Sequence, residues 1–402
     1  MAHAPTPADR SGDFMTGSVL PENVQLRERT ALRAFDYEIP TRIIGGPAAI
    51  ARLGGELTRY GVRNPVVITD AGIRAAGILD IVLTHLPGSV PVFDGIASDP
   101  TTDSVEEAAR VIREGVHDGV IAIGGGSPLD AAKAAAAAAT TGRPVLDLVG
   151  PDKVDIAPTT LIAVPTTAGT GSEVTRFCVL SDAASRRKVS ISSMRVMPKL
   201  ALLDPELTTG LPAGLTAATG FDALAHAVES YCSVWNNPIS EGHARHAVTL
   251  IGTHLRTAVN RPADLPARMG MLAASCIAEL AANSTRLGLA HALAVPLGAA
   301  HSIPHGIAVA HMLPEMCAFN EEAEPARCAE LARCLAPGAR SLSEAVRALR
   351  ADVGLTTRLR DWKVTERDFS PIVELALSSD NTRANPRIAG ANELTDLLRA
   401  AA

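Results

Sequence analysis

The residues best placed by type and spacing to do chemistry are two histidines in small, apolar surroundings. His291 and His305 stand fourteen positions apart in LAHALAVPLGAAHSIPHGIAVA, residues Leu289 to Ala310, the second inside a Pro-His-Gly turn. A lone imidazole in such a setting is usually a hydrogen-bonded core group, because buried polar atoms need partners. Upstream, in GFDALAHAVESY, Asp222 and His226 are four residues apart. On a helix they project from one face, about one turn from each other. That spacing serves a plain side-chain pair or two ligands of one divalent metal equally well. Asp222, His226, His291 and His305 together offer one anionic oxygen and three imidazole nitrogens, a set suited to Zn2+ or Fe2+. Spacing alone leaves open whether they converge.

Two further stretches have the makings of a phosphate-binding wall. GVIAIGGGSPLDAAK, residues Gly119 to Lys133, reads as a buried strand running into Gly124, Gly125 and Gly126, then a helix. Ser127 is expected as its cap, Pro128 in its first turn and Asp130 as the far half of a capping box. Glycines let a backbone approach a bulky anion, and free amides at a helix start attract phosphate. A tight strand-to-helix turn without a ligand has the same pattern, and GGGS is not the GxGxxG dinucleotide fingerprint. TLIAVPTTAGTGSEVT, residues Thr160 to Thr175, is a strand followed by a loop rich in hydroxyls and glycine. There Thr166, Thr167, Thr170, Gly171 and Ser172 can present hydroxyls and amides to a ligand, or form an ordinary irregular connection.

The chain has the material to position such groups. Its 402 residues, 47% hydrophobic, suffice for two domains. From Phe35 onward, β-prone runs at Pro65 to Thr69, Val90 to Phe93, Val120 to Ile123, Thr160 to Val164 and Leu200 to Leu203 alternate with helical stretches such as Ser104 to Val116. That order predicts a mostly parallel sheet covered by helices. After about Pro205 the strands stop, and Ala/Leu-rich helical segments follow at Ala213 to Cys232, Pro238 to Val259 and Leu265 to Ala282. The expected division is a tail over residues 1–34, an α/β domain over 35–205 and an all-α domain over 206–402, with a cleft between the last two and the metal candidates on its helical wall. The tail is expected to be flexible, being rich in Pro, Ser, Gly and charge.

Composition narrows the function classes. Aromatic residues are 3% of the chain and the net charge is -6, which argues against nucleic acid and anionic membranes as partners. No stretch reads as a signal peptide or a membrane span, and six cysteines without a CxxC pair fit a reducing compartment, so a cytoplasmic protein is expected.

GGGSPLDAAK, PTTAGTGSEVT, a Lys…DPELT…LP run, the segments Gly220 to Tyr231 and Gly288 to Gly306, and a late NPR occur in that order. In this the chain resembles the iron-containing (group III) alcohol dehydrogenases from about Phe35 to its C-terminus. The resemblance implies a dehydroquinate synthase-like architecture, with an NAD-binding α/β domain and a helical metal-binding domain. It also implies Asp222, His226, His291 and His305 as ligands of Fe2+ or Zn2+, and a homodimer or higher homo-oligomer. Asp70, which ends the strand VVIT, falls where the family has an Asp beside the adenosine ribose. A carboxylate there favours NAD over NADP, although capping of the next turn is its plainer role. By the same resemblance the Thr166 to Ser172 loop lines the cofactor cleft. Lys188 resembles a Lys that approaches the cofactor, and a solvated Lys beside Arg186 and Arg187 is an equal reading.

A metal facing a nicotinamide implies hydride transfer between the cofactor and a small alcohol or aldehyde, with the metal acting as Lewis acid on the substrate oxygen. Two positions depart from the family pattern. Val295 stands four residues after His291, where relatives commonly carry a proton-handling His; His301 is the substitute candidate, or merely a solvent-facing residue. Arg286 replaces a small residue and is expected either to pair with Glu279 or a helix end, or to form a fork for an anionic substrate group, as in reduction of phosphonoacetaldehyde. The rival enzymes are a metal-free maleylacetate reductase, disfavoured by retention of all four ligand types, and a dehydroquinate synthase-like lyase, which holds its metal with a Glu and two His. A cofactor-binding regulator without turnover is the non-enzyme alternative.

Overall fold

The computed structural model describes residues 34–402 apart from Arg186, so the expected tail lies outside the described residues except for its last position. Among the described residues nine strands form two sheets: β1 (Arg42–Gly45), β2 (Pro65–Asp70), β3 (Val92–Ile96), β4 (Gly119–Gly124), β5 (Gly150–Pro151), β6 (Thr160–Pro165), β7 (Phe177–Asp182), β8 (Arg187–Ser192) and β9 (Leu200–Leu203). The large sheet has the order β1-β9-β6-β4-β2-β3, and every pairing in it is parallel. Its central strands are near-continuous apolar runs buried on both faces, as a helix-covered parallel sheet requires; every residue of β4 is buried.

Helices α1 (Leu53–Arg59), α2 (Ala71–Ala75), α3 (Ile78–Leu83), α4 (Thr102–Glu114) and α5 (Gly126–Thr141) lie among these strands. One apolar cluster gathers Val66, Ile68, Val120 and Ala122 under α4 and α5, and a second gathers Val67, Ile121, Ile123 and Ile162 on the opposite face. From β2 the chain steps outward to β3, then returns past β2 to add β4, β6 and β9 on the other side. The order therefore reverses between β2 and β4, and the carboxyl ends of strands at such a reversal are where open α/β sheets bind ligands.

Ten helices follow the last strand: α6 (Ala213–Cys232), α7 (Pro238–Asn260), α8 (Leu265–Thr285), α9 (Leu289–His301), α10 (His305–Glu321), α11 (Pro325–Leu335), α12 (Leu342–Asp352), α13 (Phe369–Leu377), α14 (Asp380–Ala384) and α15 (Ala391–Ala401). The switch from strands to helices falls where the sequence puts it. α6 is the axis: it is buried continuously from Gly220 to Cys232 and packs on α7, α8 and α10. Of the described helices, α8 is long and apolar enough to cross a membrane, and it is a largely buried core helix packed on α6 and α7.

Three expectations need correction. The sequence reading missed β1 and the small sheet β5-β8-β7, whose β7 and β8 form an antiparallel hairpin. β1 has four residues, and the turn of the hairpin is flanked by polar residues that hide its alternation. The capping box at Ser127 does not form: the helix begins two residues earlier, with Gly125 in extended backbone as its cap, and no side chain caps it. The Ser127 hydroxyl donates instead to the Ser98 carbonyl at 2.6 Å.

Candidate metal centre and nucleotide crevice

Asp222 and His226 lie on one face of α6, both buried. His291 sits in the first turn of α9 and His305 opens α10, and the Pro304 to Gly306 turn delivers α10 to α6. A Cβ on Gly306 would stand 2.3 Å from the Ala218 carbonyl oxygen, so only glycine lets the start of α10 approach α6 one turn before Asp222. The four side chains converge. From Asp222 Oδ1 the Nε2 atoms of His305, His291 and His226 are 3.3, 3.4 and 3.9 Å away, and the His226 and His291 rings stack with centroids 4.8 Å apart.

This geometry fits a metal. Ligand atoms about 2.1 Å from a tetrahedral ion stand about 3.4 Å from one another. Candidate ligand atoms of Asp222, His226 and His291 all lie within 4.8 Å of each other. Asp222 Oδ1 and His291 Nε2 are buried without a hydrogen-bond partner, an arrangement a cation between them would satisfy. His305 is exposed and closes the set from the solvent side.

Two carboxylates that the sequence reading did not assign to the site support it from behind. Glu229 Oε1 accepts from the backbone amides of Ala290 at 2.8 Å and His291 at 3.2 Å, capping α9, while its Oε2 takes a short contact from His291 Nδ1. One side chain thereby fixes both the helix and the ring it carries. Glu279 of α8 faces His226 Nδ1 at 3.4 Å. The signal for Glu229 was its position three residues after His226 in an otherwise apolar helix; Glu279 carried none until α8 was docked.

The electrostatics follow the burial. Burial alone would raise the Asp222 carboxyl, but His226 and His305 hold it well below the usual range. Burial pushes His226 down to about 4 despite Asp222. In His291 the burial penalty is outweighed by Glu229 and Asp222, which lift it to about 10. Burial, with Asp222 nearby, raises Glu279 well above an ordinary carboxyl.

The nucleotide candidates gather at the carboxyl ends of β2, β4 and β6. Asp70 ends β2 and caps α2, Oδ1 accepting from the Ile73 amide at 2.8 Å. Gly124 has φ 144°, and a Cβ there would meet Pro128 Cγ at 2.7 Å. The loop after β6 presses on the same turn: a Cβ on Gly126 would lie 2.8 Å from Thr170 Cγ2, one on Gly125 3.2 Å from Thr167 Oγ1, and the Thr166 amide bonds the Gly124 carbonyl at 2.9 Å. Asp130 accepts from Ser172 Oγ at 2.5 Å and from the Val179 amide at 2.9 Å, tying helix, loop and hairpin together. Beneath them lies Lys133, fully buried, its ammonium on Asp130, Thr175 Oγ1 and the carbonyls of Ser172 and Phe177. Sequence reading gave Lys133 no role.

The remaining candidates are held by other partners. Lys188 is exposed on β8 and makes a close ion pair with Asp99. His301, half-buried at the end of α9, faces Asp368 at 3.9 Å. Val295 is exposed one turn beyond His291. Arg286 follows α8 with φ 58° and ψ 177°, backbone that ordinarily belongs to glycine. Its guanidinium faces Asp380 at 3.9 Å and lies over the Phe177 ring, 5.6 Å from the centroid. The partner is Asp380 rather than Glu279, which is turned toward His226.

Residues 40–205 match the family described as iron-containing alcohol dehydrogenase, and residues 216–402 match the C-terminal domain of Fe-containing alcohol dehydrogenases. The chain is 38% identical over 383 residues to a 1,3-propanediol dehydrogenase of Citrobacter freundii, covering 92% of this chain and 99% of that protein. A crystal structure of 1,3-propanediol oxidoreductase superposes with a TM-score of 0.89 at 37% identity, over 92% of this chain and all of that one. A sulfoacetaldehyde reductase of Bifidobacterium kashiwanohense, solved in complex with NAD+, superposes at 0.85 with 31% identity, over 92% and 99% of the two chains. Both halves of the chain match that family's models, and the chain belongs to the iron-containing alcohol dehydrogenase family, whose members are NAD-dependent oxidoreductases of small alcohols and aldehydes.

Proposed function

We propose that this protein reduces a small aldehyde bearing an anionic group to the corresponding alcohol, or runs the reverse oxidation, using NADH and one Fe2+ held by Asp222, His226, His291 and His305. The convergence of those four side chains on Asp222 Oδ1 carries the reading. When bound, the metal supplies Lewis-acid polarisation of the substrate oxygen. Glu229 keeps His291 in register through its Nδ1 contact, and the buried setting of Asp222 and His226 excludes water from the inner side. His305, on the exposed side, leaves the approach to the substrate open.

In this reading the dinucleotide lies along the carboxyl ends of β2, β4 and β6. Asp70 accepts from the ribose hydroxyls and disfavours a 2′-phosphate, selecting NAD over NADP. The amides of Gly124, Gly125, Gly126 and Ser127 meet the diphosphate at the start of α5. Thr166, Thr167, Thr170 and Ser172 line the nicotinamide side, Asp130 holds that loop, and Lys188 approaches from the hairpin. The helical wall beyond Asp204 carries the metal and the α/β half carries the nucleotide. With Val295 in place of an imidazole, proton exchange runs through water, the ribose hydroxyls or His301. Arg286 holds the anionic group of the substrate; its glycine-like backbone and loosely paired guanidinium support that role. A cytoplasmic homodimer completes the proposal, and the six free cysteines fit a reducing compartment.

The test is a panel of neutral and anionic aldehydes assayed with NADH and NADPH on protein of measured metal content. Turnover should need the metal, prefer NADH and favour the anionic members. Equal losses on neutral and anionic aldehydes in Arg286→Ala would remove the substrate assignment and leave the dehydrogenase reading standing.

A further inference from the structure

Arg286 is not alone. Arg176, one residue beyond the Thr166 to Thr175 loop, stands with its guanidinium carbon 6.0 Å from the centroid of the same Phe177 ring that Arg286 covers at 5.6 Å. One arginine thus comes from the end of the loop on the nucleotide side, the other from the turn five residues before His291. Arg176 is held in place by its backbone: its amide donates to Asn283 Oδ1 at 3.1 Å, and Asn283 donates back to the Val174 carbonyl at 2.7 Å.

Among the described residues neither guanidinium makes a close hydrogen bond. The side chain of Arg176 is 13% exposed, its Nε is buried with no hydrogen-bond partner, and its carboxylate neighbour, the exposed Asp152, is 3.5 Å away. Arg286 reaches Asp380 only at 3.9 Å, while Arg383 takes the closer contact with that carboxylate. Other part-buried arginines are well served: Arg268 donates to the Pro262 carbonyl and Thr216 Oγ1, and Arg387 to the Phe319 carbonyl. Burial lowers the Arg176 pKa, Asp152 raises it, and the charge of Arg286 lowers it again. Two guanidiniums set against one ring, neither with a close acceptor, offer donors that an anion reaching both would fill.

We propose that Arg176 and Arg286 form one two-guanidinium site, and that it selects substrates whose anionic group is a tetrahedral dianion, a phosphonate or phosphate monoester, over a carboxylate. This rests on the reading of Arg286 as substrate anchor and goes beyond it by assigning Arg176 and the charge and shape of the group. A planar carboxylate is filled by a single bidentate fork, whereas a tetrahedral dianion has three oxygens to share between two forks.

Steady-state kinetics with NADH on 2-phosphonoacetaldehyde, succinic semialdehyde and butanal, for the wild type, Arg176→Met, Arg176→Lys and Arg286→Met, test it. The phosphonate-to-butanal ratio of kcat/KM should fall on the order of 10- to 100-fold in Arg176→Met. It should fall less in Arg176→Lys, and the semialdehyde-to-butanal ratio should change less than the phosphonate ratio in both. Methylphosphonate binding, followed by calorimetry on the holoenzyme, should weaken in parallel; this readout needs no turnover. If Arg176→Met leaves both the ratio and methylphosphonate affinity unaltered while Arg286→Met lowers the ratio, the pair is overturned and the anchor reading survives. If neither variant changes the ratio, both fall.

Discussion

The two walls proposed to hold the metal and the nucleotide are built by opposite means. On the helical wall, side chains do the holding: Asp222, His226 and His291 are buried, and Glu229 orders His291 from behind. On the sheet wall the backbone does it, through Gly124, Gly125 and Gly126, where added Cβ atoms would run into Pro128, Thr167 and Thr170. The first wall depends on which groups are present, the second on which are missing. Substitutions should therefore fail in different ways on the two sides, metal affinity on one and cofactor affinity on the other.

The largest effect is expected from Asp222→Asn. The amide keeps the shape and removes the one anion among three imidazoles. Bound metal should be lost on dialysis, and kcat/KM should drop by at least about three orders of magnitude, the order expected for a missing Lewis acid. Metal analysis beside activity checks it. A variant that retained full metal but lost activity would break the assignment of Asp222 as a ligand.

Between the walls lies Glu173, and its effect is on stability. It is fully buried in the 3-10 turn Ser172–Val174, and burial raises its carboxyl from 4.5 to about 7, against the pull of its own backbone amide and Lys133. The folded chain therefore keeps a proton that the unfolded chain releases between those values, so stability is lost as pH rises from 4.5 to 7 and is level above that. The span is worth roughly 3 kcal/mol. Glu173→Gln should remove this part of the pH dependence, its melting temperature gaining on the wild type from pH 5 to pH 8. A constant difference between the two proteins would show that Glu173 does not titrate in that window.

A smaller loss is expected from Glu229→Gln, which leaves all four metal-facing groups in place. Outer partners of ligating histidines typically contribute 10- to 100-fold in metal affinity, and a loss of about that size is expected here. Competition with a chelator measures it. An unchanged affinity would mean that the helix cap, not His291, is the purpose of that carboxylate.

How much of this was legible depended on which wall was being read. Asp222 and His226 could be placed on one helix face from their spacing alone, and the parallel sheet followed from apolar runs such as VIAIG alternating with helices. Convergence with His291 and His305 was not readable from spacing, because it depends on the Pro304 to Gly306 turn and the contact of Gly306 with Ala218; it entered through resemblance. The start of α5 was misread for a related reason. Ser127 has the right type for a cap, but Gly125 adopts the extended backbone first and frees the hydroxyl for Ser98. Arg176 drew no attention at all, since a lone Arg after a threonine-rich loop has meaning only once Arg286 is beside it.

The mildest change sharpens the comparison most, because it adds atoms where the others remove function. In Gly126→Ala the new Cβ would stand 2.8 Å from Thr170 Cγ2 and 3.0 Å from its Oγ1. The Thr170 side chain can yield by a few tenths of an ångström, so the fold should survive, but the loop must shift away from the start of α5. The amides offered to the diphosphate then lose alignment, and KM for NADH should rise by about tenfold, the equivalent of one neutral hydrogen bond. Metal content should stay at its wild-type value, because no ligand or outer carboxylate moves. Thr170→Ser, which removes the obstructing methyl, should restore part of the cofactor affinity when combined with Gly126→Ala. A double variant no better than the single one would mean that the alanine harms the site by blocking the ligand itself, so that the glycine is needed for what binds there and not for how the two segments pack.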